Sequence, residues 1–188
     1  MNRRRKAIGQ QSGFTMIEAL ISIVILSFGV LSLAAVYAQG IYFASLTQFD
    51  YGAEKKAEQA VEVIFTARDN DTLTWAQIQN TSSGGVFIPG PQPMLQPGTD
   101  GLVGTVSDTG SPNEVIVVGP NSGGQIGTTT DKTVDLNPWM TRTIDIEPVL
   151  DTAGNNEPNV RSITVTINYH VGKMTRTYTL ISYISSFA

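Results

Sequence analysis

Between residues 14 and 49 this chain carries a single charged side chain, Glu18. Residues 19–38 are 20 consecutive uncharged positions, and eleven of them are Leu, Ile, Val or Phe. As a helix, such a run matches the ~30 Å of hydrocarbon in a bilayer. At roughly −0.3 to −0.6 kcal/mol for each large apolar residue, insertion is favoured by about 3 to 6 kcal/mol. Ser22, Ser27, Gly29 and Ser32 offset part of that gain. A helix that is apolar on all sides needs lipid or other helices around it, so this segment sets the terms for the rest of the chain.

The charge distribution orients it. Arg3, Arg4, Arg5 and Lys6 stand ahead of the apolar run. The formal net charge is −4, and without those four cations the rest stands at −8. A basic head before an apolar span reads as a topogenic signal that stays cytoplasmic. An acidic body argues against a role built on phosphate neutralisation, and no nucleic acid is expected as a partner. With 188 residues there is material for one domain with a core plus one extended segment. The chain has no cysteine, which excludes disulfides and thiolate chemistry, and His170 is its one histidine.

Two simple readings of the N-terminus do not account for Glu18. A secretory signal peptide has an apolar run of about 7–15 residues, shorter than this one, although Ala34-Ala35-Val36-Tyr37-Ala38 imitates a cleavage site. A plain signal anchor fits the length. Neither explains a carboxylate just inside the apolar segment, which is costly unless paired and is usually functional there. A helix N-terminus would favour the anion by about 0.3–1 kcal/mol, and that does not exclude a further role.

The stretch Gly13-Phe14-Thr15-Met16-Ile17-Glu18-Ala19-Leu20 resembles the class III signal of type IV prepilins. The family pattern is a basic leader ending in Gly, then Phe, then Glu at the fifth mature position. The resemblance covers about residues 3–45 and implies cleavage between Gly13 and Phe14 by a membrane prepilin peptidase, with methylation of the new amine on Phe14. It implies that Glu18 neutralises the terminal ammonium of a neighbouring subunit during assembly. A buried carboxylate and a buried amine each cost several kcal/mol alone and far less together. Many major pilins carry Pro in the apolar helix, whereas here the first Pro is Pro89, which leans towards a minor pilin or a pseudopilin.

Without a proline before Pro89, the helix is expected to run on to about Arg68, roughly 80 Å at ~1.5 Å per residue. From Asp50 it turns amphipathic: Ala53, Ala57, Ala60, Val61, Ile64 and Phe65 share one face. Glu54, Glu58 and Glu62 form a row on another, with Lys55 and Lys56 beside it. That row is either a solvated face or a contact with cations on a neighbour. Gly29, Ser32, Ala35 and Ala38 form a row of small residues that would let helices approach closely. Asp69-Asn70-Asp71 offers a stop.

Residues 81–131 are rich in Gly, Pro, Ser, Thr and Asn, with Pro89, Pro91, Pro93 and Pro97 close together. Within this loop region, 114–118 reads as a buried strand and 102–106 as a weaker one. In the last third Ile144 and Ile146 alternate, and Ile163, Val165, Ile167, Tyr169 and Val171 share a strand face. Gly172-Lys173 is a turn signal, and Tyr178, Leu180, Ser182 and Ile184 share a face on the way back. The expected fold is α+β: a long N-terminal helix, half transmembrane and half amphipathic, packed on a C-terminal antiparallel sheet. The expected segments are a leader at 1–13, a membrane and filament-core helix at 14–38, its amphipathic half at 39–70, a variable region at 71–140 and the sheet region at 141–188. The terminal hairpin and the Ser27-to-Ala34 stretch are similar to PilV-type minor pilins.

No catalytic constellation stands out, so no enzyme, cofactor or metal is expected. His170 falls on the polar face of a strand. Asp69-Asn70-Asp71 fails as an EF-hand, because Thr74 stands where Gly is required and Asn80 where Glu is. The oxygen-rich stretch from Asp151 to Glu157 reads as a plain turn, with calcium as the alternative. Trp75 and Trp139 read as packing residues. The expected function is that of a minor pilin that initiates or modifies a type IV pilus. Its expected partners are prepilin peptidase, other pilins and the inner-membrane assembly platform. Its expected place is the bacterial inner membrane as a single span, with the N-terminus cytoplasmic and the C-terminal domain periplasmic, then the pilus at the cell surface. A type II secretion pseudopilin and a signal-anchored exported binding domain are the alternatives.

Overall fold

A computed structural model describes residues 14–118 and 132–187. Helix α1 is Met16–Asp69, unbroken by proline, and the described chain divides into two units between Ser45 and Leu46. Up to Phe43 every described side chain is exposed, so this stretch contributes nothing to a core of its own. The fold is α+β, as expected, with an N-terminal helix and a four-stranded antiparallel sheet consistent with a type IV pilin fold.

In the second unit, the helix buries the small-residue stripe that its periodicity marked. Ala53, Ala57 and Ala60 are fully buried and Ile64 nearly so, with Ala67 continuing the line. Alanines at this spacing let a helix sit close to a sheet with little side-chain entropy to lose. The helix ends in a Schellman arrangement. Thr72 N–H donates to the Ala67 carbonyl at 2.8 Å and Asp71 N–H to that of Arg68 at 3.0 Å. Asp71 takes the left-handed position with φ 54, where glycine is usual.

The sheet has the order β1-β4-β5-β6. Its strands are Gln92–Pro93 (β1), Met140–Leu150 (β4), Asn156–Val171 (β5) and Met174–Ser185 (β6), all paired antiparallel. A separate ribbon pairs β2 (Val115–Val118) with β3 (Lys132–Asp135). Register places Ile163, Val165 and Ile167 beside Ser182, Leu180 and Tyr178, on the face that meets the helix. Burial of these residues with Ile144, Ile146 and Ile184 supplies roughly 1.5–3 kcal/mol per large side chain.

The middle of the chain departs from expectation in three places. Gln92–Pro93 adds a short edge strand to β4 from inside the proline-rich stretch, and an edge is where a strand tolerates proline. Residues 102–106 do not form a strand: Leu102 and Val103 are buried in a loop that passes into a 3-10 turn at Val106–Asp108. Gly101 and Gly104 cause this, at φ 71 and 79. A Cβ on Gly104 would stand 2.9 Å from Ile144 Cδ1 and would strain the left-handed backbone there, so glycine suits this close pass. In the third case, β2 is a strand as expected, but Glu114 before it is buried while Val115 is 39% exposed.

Candidate functional site

The candidate site is the start of α1. Thr15 precedes the helix, and its carbonyl accepts from Glu18 N–H at 3.1 Å and Ala19 N–H at 3.2 Å, while its hydroxyl stands 3.4 Å from Glu18 N. Thr15-Met16-Ile17-Glu18 has the Ser/Thr-x-x-Glu spacing of a helix start, a signal that sequence reading passed over. Glu18 thus lies in the first turn, where the helix dipole and the free N–H groups favour its charge. The sequence places Glu18 in one motif with the expected cleavage residues Gly13 and Phe14. Phe14 is 74% exposed next to this turn, whereas Gly13 and the basic residues Arg3 to Lys6 lie outside the described residues.

Beyond Glu18 the helix surface is apolar all round. Ile17, Leu20, Ile21, Ile25, Leu26, Phe28, Leu31 and Leu33 are each more than half exposed. Three serines in the run are satisfied by the helix backbone. Ser22 donates to the Glu18 carbonyl at 2.7 Å, Ser27 to Ile23 at 2.7 Å and Ser32 to Gly29 at 2.9 Å. That removes most of the cost of placing hydroxyls in hydrocarbon. No Cβ contact within 4 Å would meet a side chain at Gly29, so the small-residue row stands open. By length and composition this helix can cross a membrane.

The polar clusters of the second unit tie elements together. Glu114 is buried between Arg142 of β4 (Nη1–Oε1 3.1 Å) and Lys56 of the helix (Nζ–Oε2 2.8 Å). The Lys56 contact is an ion pair without an aligned hydrogen bond, and Arg142 Nε lacks a hydrogen-bond partner. Asp50 accepts from Tyr169 Oη at 2.6 Å and pairs with Arg176 at 2.6 Å. Burial and the Asp50 carboxylate push the Tyr169 hydroxyl up to about 12. Asp108 accepts from the N–H groups of Gly98, Gly104 and Thr105 at 2.9, 2.6 and 3.1 Å. Its carboxyl is raised by burial, against the pull of those three donors. Asp100 beside it is lowered: burial is the largest single influence and opposes this, but the Ser107, Leu102 and Thr105 donors together outweigh it. Asn80 bonds Asp145 through Nδ2 and accepts the Ile146 N–H, covering the open edge of β4.

The remaining residues that sequence reading singled out fall as follows. The Asp151 carboxylate accepts from the N–H groups of Ala153 and Asn155, both at 2.8 Å, and is lowered chiefly by Asn155. It is the staple of the turn joining β4 to β5, with Gly154 at φ 84. His170 is exposed on β5. Trp75 packs against the core, donates to the Pro158 carbonyl at 3.0 Å and lies under the Arg161 guanidinium at 4.2 Å. Arg161 also donates to the carbonyls of Trp75 and Ile78. Trp139 is not a packing residue: it stands 51% exposed in the turn before β4, where the inward positions are taken by Leu136 and Met140.

Residues 8–34 match the family model described as prokaryotic N-terminal methylation motif. No curated protein and no solved structure matches the chain. The motif supports a type IV pilin-like protein, of a pilus or a pseudopilus, and suggests a structural subunit. It implies processing by prepilin peptidase and assembly with other pilins, and with the apolar helix it is consistent with a membrane-anchored protein.

Proposed function

We propose that this chain is a minor pilin of a type IV pilus, a subunit that initiates or modifies filament assembly. The observation that carries this reading is Glu18, the one charged residue in the exposed apolar stretch 14–43 that opens the helix. Prepilin peptidase cuts between Gly13 and Phe14 and the amine of Phe14 is methylated. The span stays attached, because the cut lies before it. In the membrane the helix is sheathed by lipid; in a filament, helices of other subunits replace the lipid. Glu18 then meets the terminal ammonium of a neighbour, and each removes the other's desolvation cost. The assembly platform acts on the cytoplasmic side and the sheet domain is carried outward.

The proline-free helix leaves a type II secretion pseudopilin as a second reading, with the same N-terminal chemistry. Neighbouring genes separate the two: pilus biogenesis genes favour the first, secretion genes the second. The test of the shared mechanism is Glu18→Ala. The variant is expected to insert in the membrane as wild type does, since the apolar span is untouched, and to be lost from sheared filaments. Wild-type levels of Glu18→Ala in filaments would sink the pairing role. Gly13→Leu is expected to keep its leader in a gel-shift assay, and normal processing would contradict Gly13 as the cleavage residue.

A further inference from the structure

The uncharged run is longer than a membrane span requires. Residues 19–49 hold 31 positions without a charge, which as a helix cover about 45 Å. The hydrocarbon core takes ~30 Å and the bilayer with its headgroups ~40–45 Å. With Glu18 among the headgroups of one leaflet, a helix of that length reaches the headgroups of the other at about Phe49. Phe49 already belongs to the sheet-bearing unit. The end of the domain that carries Phe49 therefore follows the span directly in the chain.

That end is built for such a place. A cavity of about 220 Å³ opens there, lined by Phe49, Leu136, Trp139, Met140, His170 and Gly172. Trp139 is half exposed beside it although the fold buries Leu136 and Met140 from the same segment. Tryptophan, with an apolar body and one N–H, is enriched at membrane interfaces. The first charge after the run, Asp50, is neutralised by Arg176 and bonded by Tyr169, which lowers the cost of holding it near lipid. Lys173 stands exposed in the adjoining turn, where an ammonium can reach headgroup phosphates. Asp135 is the carboxylate of the cavity lining.

We propose that this face docks the domain on the lipid headgroups of the membrane its own helix crosses, with Trp139 as the interfacial anchor. The docked state belongs to the subunit before assembly, and extraction into a filament must break it. The proposal rests on the membrane-span reading above, and the test separates the two.

Full-length chain is reconstituted in phosphatidylcholine vesicles containing lipids brominated near the glycerol end of the acyl chains. Trp75→Phe leaves Trp139 as the single tryptophan, and Trp139→Phe leaves Trp75. Trp139 emission is expected to fall by roughly half or more while Trp75 keeps nearly all of its own. Equal quenching of the two, or none, overturns docking if the protein floats with the vesicles. Failure to float overturns the span reading and the docking with it. Shielding of Trp139 that grows with protein-to-lipid ratio assigns the face to a second copy and overturns a lipid occupant. As a check independent of the tryptophan variants, the cysteine-free chain accepts a single environment-sensitive label at Lys173→Cys or Ala153→Cys. The label at Lys173→Cys is expected to shift to the blue on vesicle binding, while that at Ala153→Cys, on the β4–β5 turn, stays in water. Equal responses overturn docking.

Discussion

At the scale of single residues, the chain spends its buried polar groups as ties. Asp108 collects three backbone N–H groups that would otherwise be buried without an acceptor. Asp108→Ala is therefore expected to cost about 1–3 kcal/mol in denaturant unfolding, because those donors lose their partner. Tyr169 gives a pH signature. Its folded value is raised to about 12 from 10.0, so the neutral phenol is favoured in the native state. That contribution is complete below pH 10 and is lost as pH rises through about 12. The midpoint of unfolding is expected to fall over this window, and Tyr169→Phe, which removes the group that ionises, should flatten the fall while costing about 1–2 kcal/mol at neutral pH. Glu18 belongs to the same scale but, among the described residues, has no tie beyond the helix start, which is why its partner is sought in another subunit.

At the scale of elements, helix α1 was readable from the sequence almost to its last residue. Its alanine stripe has the helical period, and Asp69-Asn70-Asp71 marked its end. The hairpin of β5 and β6 was equally plain, because alternation and the Gly172-Lys173 turn act over adjacent residues. What stayed hidden has one cause. Glu114, Lys56 and Arg142 come from a loop, the helix and a strand, far apart in the chain, and no local pattern marks them as meeting. The lost strand at 102–106 has a related cause, since the close pass of Gly104 against Ile144 is a tertiary fact. Two predictions belong here. Glu114→Gln leaves two cations facing a buried neutral group and is expected to cost about 3–5 kcal/mol. Asp71→Gly relieves the left-handed strain at the Schellman position and should stabilise by about 0.5–1 kcal/mol, whereas Asp71→Val should destabilise by a similar or larger amount. Thermal or urea unfolding of the membrane-reconstituted chain reads both signs.

At the scale of the whole molecule, two kinds of surface follow one another along the chain. The first 30 described residues keep their apolar side chains outside, whereas the second unit gathers many of its own into a buried core. Lipid or other apolar helices suit the first, and water suits the polar surface of the second. The methylation motif at residues 8–34 was legible because its parts are contiguous in the chain. The docking face at Trp139 was not, because its residues come from the helix, the turn before β4 and the end of β5. The account as a whole depends on the chain being cut before its span rather than after it or not at all. Mass spectrometry of the N-terminus of the protein isolated from its host membrane decides this. The account predicts a mature chain beginning at Phe14 and carrying one methyl group on its amine; an intact Met1, or a chain beginning just after Ala38, would contradict it.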